Sequence, residues 1–130
     1  MTWYLDTSAF IKLVRKEEGS TELDRWLTDQ AICSSDLLRT EARRALSADV
    51  VGQVLLEGLL ERIVLIRLTP EVFDQAGHLR VATPLCSLDA IHLAAAHRLG
   101  PDLEGVVTYD RRMTEAAHSL GVLVAAPRDR

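Results

Sequence analysis

The sequence predicts an α/β fold, three layers deep (α/β/α) around a parallel sheet, and three observations carry the prediction. Apolar runs of strand length alternate with stretches of helical period along the whole chain, which is the order that right-handed βαβ crossovers produce. Aromatic residues make up 5% of the chain although 48% of it is hydrophobic, so Leu, Val, Ile and Ala must build the core, as suits strands buried on both faces. Two of the apolar runs, Trp3-Tyr4-Leu5 and Gly105-Val106-Val107, finish near an aspartate, Asp6 and Asp110. In open α/β sheets ligands and chemistry gather outside the carboxyl ends of the strands, so both carboxylates fall where a site would be.

The elements follow in order. The first strand stops on Asp6, and Phe10, Ile11 and Val14 give the amphipathic period of a helix over 8–15. Glu17-Glu18-Gly19 breaks it, and Ser20 starts a second helix through 27. Residues 31–34 read as a short strand, after which Ser34, Ser35 and Asp36 offer N-cap oxygens to a helix over 37–49. A further helix is expected over 50–62 with Val51, Val54, Leu55, Leu59 and Leu60 on its apolar side, and a buried strand over 63–68. Pro70 then takes the first-turn position that helices tolerate, opening a helix over 71–82 that Thr83-Pro84 closes. Ser87 caps a helix over 88–99, ended by Gly100-Pro101. The strand ending at Asp110, a helix to 120 and a strand over 122–125 complete the chain, with a frayed tail from Pro127.

With 130 residues and no repeat or linker, one domain (1–130) is expected, large enough for a real core. The net charge of −4 announces no positive field for nucleic acid. Of 15 basic residues only Lys12 and Lys16 are lysine; arginine suits phosphate, but coding bias accounts for the same excess. Neither a signal peptide nor an apolar run of membrane-spanning length is present, and Cys33 and Cys86 lack metal-ligand spacing. A cytoplasmic protein with both thiols reduced and packed is the expectation.

Two carboxylates stand in the wrong place for a core. Leu37, Leu38, Ala42, Ala45 and Leu46 define one helical face, and Glu41 lies on it, whereas Arg39, Arg43 and Arg44 supply the outer side. An inward carboxylate costs desolvation unless a cation meets it; a place at the stripe's margin, paired with a surface arginine, is the plainer alternative. Asp89 opens a helix that is apolar nearly all round, although a first-turn aspartate also answers the helix dipole. His92 shares its face; a lone histidine there is more often a satisfied core residue than a ligand. Asp6, Glu41, Asp89 and Asp110 together would repel one another, and a hard divalent cation, Mg²⁺ or Mn²⁺, removes that conflict. Such a site most often handles phosphate esters. Ser8 and Thr108, each two residues from a strand-end aspartate, could orient those carboxylates, or serve only as caps and turn bonds. Arg111 and Arg112 could hold substrate phosphates, or be solvated first-turn residues.

The ordered set Leu5-Asp6-Thr7-Ser8, Arg39-Thr40-Glu41, Leu88-Asp89-Ala90-Ile91-His92 and Thr108-Tyr109-Asp110 resembles the PIN-domain nucleases, and within them the VapC-type ribonuclease toxins of toxin–antitoxin pairs. The resemblance covers essentially the whole chain. It implies a parallel sheet of about five strands and Mg²⁺- or Mn²⁺-dependent endonucleolytic cleavage of RNA. Asp6, Glu41, Asp89 and Asp110 match the family's acidic quartet as catalytic and metal-binding residues, and Ser8 and Thr108 its hydroxyl positions. Many relatives carry another acidic residue just after the last aspartate, where this chain has Arg111 and Arg112. The implied partners are an RNA substrate, a small antitoxin laid over the site, and a second copy in a homodimer. The helices over 8–27 and 50–60 are candidate surfaces for them.

Other chemistries fit less well. A haloacid-dehalogenase-type phosphotransferase needs a second aspartate where Ser8 stands, and a phospho-acceptor receiver needs a late-strand lysine that the chain lacks. A catalytically silent module that binds RNA or protein remains the alternative, opposed by the intact carboxylates, whose charge would weaken binding to phosphate.

Overall fold

The structure, a computed structural model, describes residues 1–82 and 84–128. Five strands, β1 (Thr2–Leu5), β2 (Ile32–Ser35), β3 (Val64–Ile66), β4 (Leu103–Val107) and β5 (Val124–Ala125), form one parallel sheet in the order β3-β2-β1-β4-β5. The chain lays strands outward from β1 on one side, then returns to place β4 on its other side. The crevice beyond β1 and β4 is therefore the topological switch point, and Asp6 and Thr108 both open onto it.

The helices among the described residues are α1 (Thr7–Val14), α2 (Ser20–Leu27), α3 (Leu37–Ala45), α4 (Val50–Leu60), α5 (Pro70–His78), α6 (Ser87–His97) and α7 (Arg111–Ser119). Alternation along β1 decides which layer each joins. Trp3 and Leu5 pack with Ala9 of α1 and Leu23 of α2 on one face. Tyr4 packs on the other with Val72 of α5, Leu93 to Ala96 of α6 and Met113, Ala116 and Ala117 of α7. A third cluster joins Phe10, Ile11 and Val14 to Leu38, Ala42 and Leu46 and to Leu56 and Leu60 of α4. The three consecutive alanines of α6, all buried, let that helix lie close to the sheet and bring His92 against Tyr4, with ring centroids 5.7 Å apart. Gly105 serves the same close packing: a Cβ there would stand 2.5 Å from the Trp3 ring and 2.7 Å from the Leu123 carbonyl oxygen.

Several expectations are corrected. The helix expected over 37–49 ends at Ala45, because Asp49 turns its Oδ1 to accept from the Gly52 N–H (2.8 Å) and caps α4 instead. On α4 the buried residues are Gly52, Leu56 and Leu60, while Val51 and Val54 are each 70% exposed and Leu55 51%. A helix apolar on every side does not reveal its inner face by periodicity. The strand β3 is an edge strand with Val64 exposed, not a buried one. The helix expected over 71–82 stops at His78; Thr83, expected to close it, lies outside the described residues. Cys86, not Ser87, holds the N-cap position of α6, and Cys86 is exposed whereas Cys33 is buried. Ser34 and Ser35 cap nothing: Ser34 Oγ donates to the Leu5 carbonyl (2.7 Å), and Ser35 Oγ accepts from the Tyr4 hydroxyl (2.8 Å). The tail is anchored as far as it is described, since Tyr109 donates its hydroxyl hydrogen to the Pro127 carbonyl at 2.7 Å and Arg128 lies over its ring.

Candidate active site at the switch point

Asp6 is the centre of the site. It follows β1 and caps α1, and only 4% of its surface is exposed. Its Oδ1 accepts from the Ala9 N–H (3.0 Å) and the Ser8 hydroxyl (2.7 Å), and its Oδ2 from the Thr108 hydroxyl. Burial pushes the Asp6 carboxyl above its usual range, although those three donors and nearby His92 pull the other way. Thr108 and Ser8 also lace the two strand ends together. Thr108 Oγ1 accepts from the Asp110 N–H (3.1 Å), and Ser8 Oγ from the Tyr109 N–H (3.1 Å). Asp110 spends Oδ1 on the Met113 N–H (2.9 Å), capping α7 at the exposed rim.

Glu41 enters from α3, half-buried. Its Oε1 accepts from the Thr7 hydroxyl (2.7 Å) and lies 2.6 Å from His92 Nε2. Burial acts to raise this carboxyl, but the bonds from His92 and Thr7 outweigh it and hold Glu41 below the usual carboxylate range. Asp89 stands one turn before His92 on α6, half-buried, and accepts from the Cys86 thiol at 3.1 Å. Arg111 points outward, 92% exposed, 3.6 Å from Glu115; Arg112 is exposed as well.

Hydrogen bonds and the chain itself tie three of the four acidic residues into one framework: Thr108 bonds the Asp6 carboxylate and the Asp110 backbone N–H, and Thr7, the residue after Asp6, bonds Glu41. Asp89 joins it only by sharing the α6 face with His92. Among the described residues no three His, Cys, Asp or Glu side chains already stand close enough together to hold a metal ion. The donors themselves fit a hard divalent cation. They are carboxylate oxygens, and among the described residues none of Asp6, Asp89 or Asp110 forms an ion pair with a lysine or arginine. A buried carboxylate without a cationic partner lacks the compensation that burial of charge normally requires.

Tyr4, Thr7 and His92 belong to this network and were not singled out as site residues from the sequence. His92 is the satisfied core histidine expected, 2% exposed, but its partner is the acidic residue Glu41. The i, i+3 spacing from Asp89 was the available signal.

An α/β/α domain with strand-end aspartates beyond β1 and β4 defines a broad class of proteins, and comparison with known proteins narrows it. Residues 3–119 match the family model of the PIN domain. The chain belongs to the PIN-domain family, among the VapC-type members. It is 45% identical over 130 residues to ribonuclease VapC46 of Mycobacterium tuberculosis, covering 95% of this chain and 96% of that one. Identity to ribonuclease VapC47 from the same species is 37%, over 95% and 96% of the two chains. The fold is similar to the crystal structure of M. tuberculosis VapC20, a sarcin-ricin loop cleaving toxin, with a TM-score of 0.75 and 15% identity over 97% of this chain and 100% of that one. VapBC2 from Rickettsia felis, bound to a DNA fragment from its promoter, gives a TM-score of 0.70 and 16% identity over 96% and 98% of the two chains.

Proposed function

We propose that this protein is a Mg²⁺- or Mn²⁺-dependent endoribonuclease, the toxin of a type II toxin–antitoxin pair, acting in the cytoplasm. The observation that carries the reading is Asp6: a buried carboxylate, aimed by three donors, at the switch point of the sheet and, among the described residues, without a lysine or arginine to pair it. The relatives named as ribonucleases support RNA as the substrate.

Asp6, Glu41, Asp89 and Asp110 would hold the ion, which when bound supplies Lewis acidity and a more acidic water. The chain's own residues do the rest. Ser8 and Thr108 fix the rotamer of Asp6 by donating to its two oxygens. The cap bond to Met113 restrains Asp110 in the same way. Thr7 and His92 keep Glu41 ionised, ready to accept a proton from attacking water or to meet positive charge. Arg111 and Arg112, exposed beside Asp110, would meet the phosphates of a bound strand.

The reading includes an antitoxin and a second copy of the chain as protein partners. Val50, Val51, Val54 and Leu55 of α4 form an exposed apolar row that a partner would cover. No helix among the described residues is long and apolar enough to cross a membrane. Cleavage of total RNA by the purified chain, with Mn²⁺, with Mg²⁺ and with EDTA, tests the proposal. Cutting that persists unchanged in EDTA refutes metal dependence, and no cutting with either ion favours the silent-module alternative.

A further inference from the structure

His92 lies in a chain of bonds that begins well inside the sheet. Tyr4, buried in the central strand, donates its hydroxyl hydrogen to Ser35 Oγ of β2 (2.8 Å), and the same oxygen lies 2.7 Å from His92 Nδ1. The imidazole, set edge-on to the Tyr4 ring at 73°, then presents Nε2 to Glu41 Oε1 at 2.6 Å. A carboxylate only accepts, so Nε2 carries the hydrogen of that bond. Thr7 donates to the same Oε1, and Oε2 takes no protein hydrogen bond among the described residues. Two donors on one oxygen remove the rotational freedom of a long side chain and leave the other oxygen as the one available to a ligand.

We infer that His92 is a positioning residue of this site: anchored through Tyr4 to the middle of the sheet, it holds Glu41 by Oε1 and reserves Oε2 for the cation. The inference rests on the metal-dependent reading above. Residues that orient ligating carboxylates are worth about 10–100-fold in metal affinity or activity.

The two ring nitrogens can be tested separately. In His92→Gln the amide nitrogen can reach the place of Nε2, keeping the Glu41 bond and giving up Tyr4. In His92→Asn the amide can reach the place of Nδ1, keeping Tyr4 and giving up Glu41. Mn²⁺ affinity by electron paramagnetic resonance, melting temperature of the metal-free protein, and kcat and KM on an RNA oligonucleotide are measured for each. His92→Asn should weaken Mn²⁺ binding by about tenfold and lower kcat by at least as much with KM within about twofold, while His92→Gln recovers most of both. Thr7→Val, which removes the second donor to Glu41 together with the 3.2 Å contact between Thr7 Oγ1 and His92 Nε2, should weaken Mn²⁺ binding by about tenfold at an unchanged melting temperature and tests the restraint on Glu41 should His92→Asn not fold. Equal losses in the Asn and Gln variants that track melting temperature, or unchanged Mn²⁺ affinity in Thr7→Val, overturn the role of His92 and Thr7 alone. A wild-type chain that neither binds Mn²⁺ nor cuts RNA overturns the underlying function as well.

Discussion

Asp6→Asn should move activity and stability in opposite directions, and the structure sets both. The Asp6 carboxyl is held with 4% of its surface exposed and no ion-pair partner among the described residues. Burial raises its pKa in the folded state above the reference value of 3.8. A carboxyl so displaced favours folding most below that value, and its contribution is lost as pH rises through the folded pKa. The amide carries no charge and so removes the cost of burying one. Against this, the amide keeps an acceptor for Ser8 and Ala9 but turns an N–H₂ toward Thr108, whose hydroxyl hydrogen loses its partner, at a cost of about 1 kcal/mol. The metal-free variant at pH 7 should therefore match the wild type or exceed it by about 1 kcal/mol, a rise of roughly 4 °C in melting temperature. The difference should shrink toward pH 4. Cleavage of RNA, which needs the charge, should fall by about 10²–10⁴-fold, the equivalent of several kcal/mol of lost charge stabilisation. Thermal melts of the EDTA-treated proteins at both pH values, beside cleavage with Mn²⁺, check this. A variant that melts well below the wild type at pH 7 would show that the carboxylate stabilises the fold, and the argument from its burial would be wrong.

Glu41 should behave in the reverse sense. Its pKa is lowered below 4.5, so its stabilising contribution is present above that pH and is lost as pH falls through the folded value. Glu41→Gln should cost about 1 kcal/mol at pH 7 and progressively less below pH 4.5, read from urea melts across the acid range. Gly105→Ala should destabilise by about 1–3 kcal/mol, because the new methyl meets a carbonyl oxygen and the Trp3 ring, and a melt of the variant measures it. Val51→Glu with Val54→Glu changes side chains that are each 70% exposed, so the monomer's stability should move by under about 0.5 kcal/mol while any self-association seen by sedimentation is lost.

The element order, the parallel sheet and the central place of β1 were legible because apolar runs and helical periods alternate cleanly. The inner face of α4 was not. With Val, Leu and Gly on every side, the burial of Leu56 and the exposure of Val54 are decided by how the helix meets α1 and α3, which no local pattern records. The start of α4 at Val50 was legible, but the end of α3 at Ala45 was not: no local pattern separates residues 46–49 from the helix before them, and Asp49 instead caps α4 through its bond to Gly52. Within the site, the acidic residues could be found one at a time, whereas Tyr4 and Thr7 could not. Tyr4 reads as a core residue and Thr7 as a helix-starting hydroxyl, and only the packing of α6 on β1 brings them to His92 and Glu41.

Both strand-end aspartates are helix caps, and a cap is compatible with a place in the candidate site. A cap bond ties one carboxylate oxygen to the first turn of a helix and so fixes the direction of the other. Asp110 gives Oδ1 to Met113, and Asp6 gives Oδ1 to Ala9 while Thr108 takes up Oδ2. Both caps also put a negative side chain at the positive end of a helix, which offsets part of the cost of keeping several carboxylates in one crevice. Glu41 has no cap to hold it, being in mid-helix, and needs Thr7 and His92 to achieve the same restraint. Three of the four acidic residues are thus restrained in two ways, the strand-end aspartates by helix starts and the glutamate by side-chain donors, and it follows that the donors to Glu41 should tolerate replacement less well than surface residues at equal distance from the crevice.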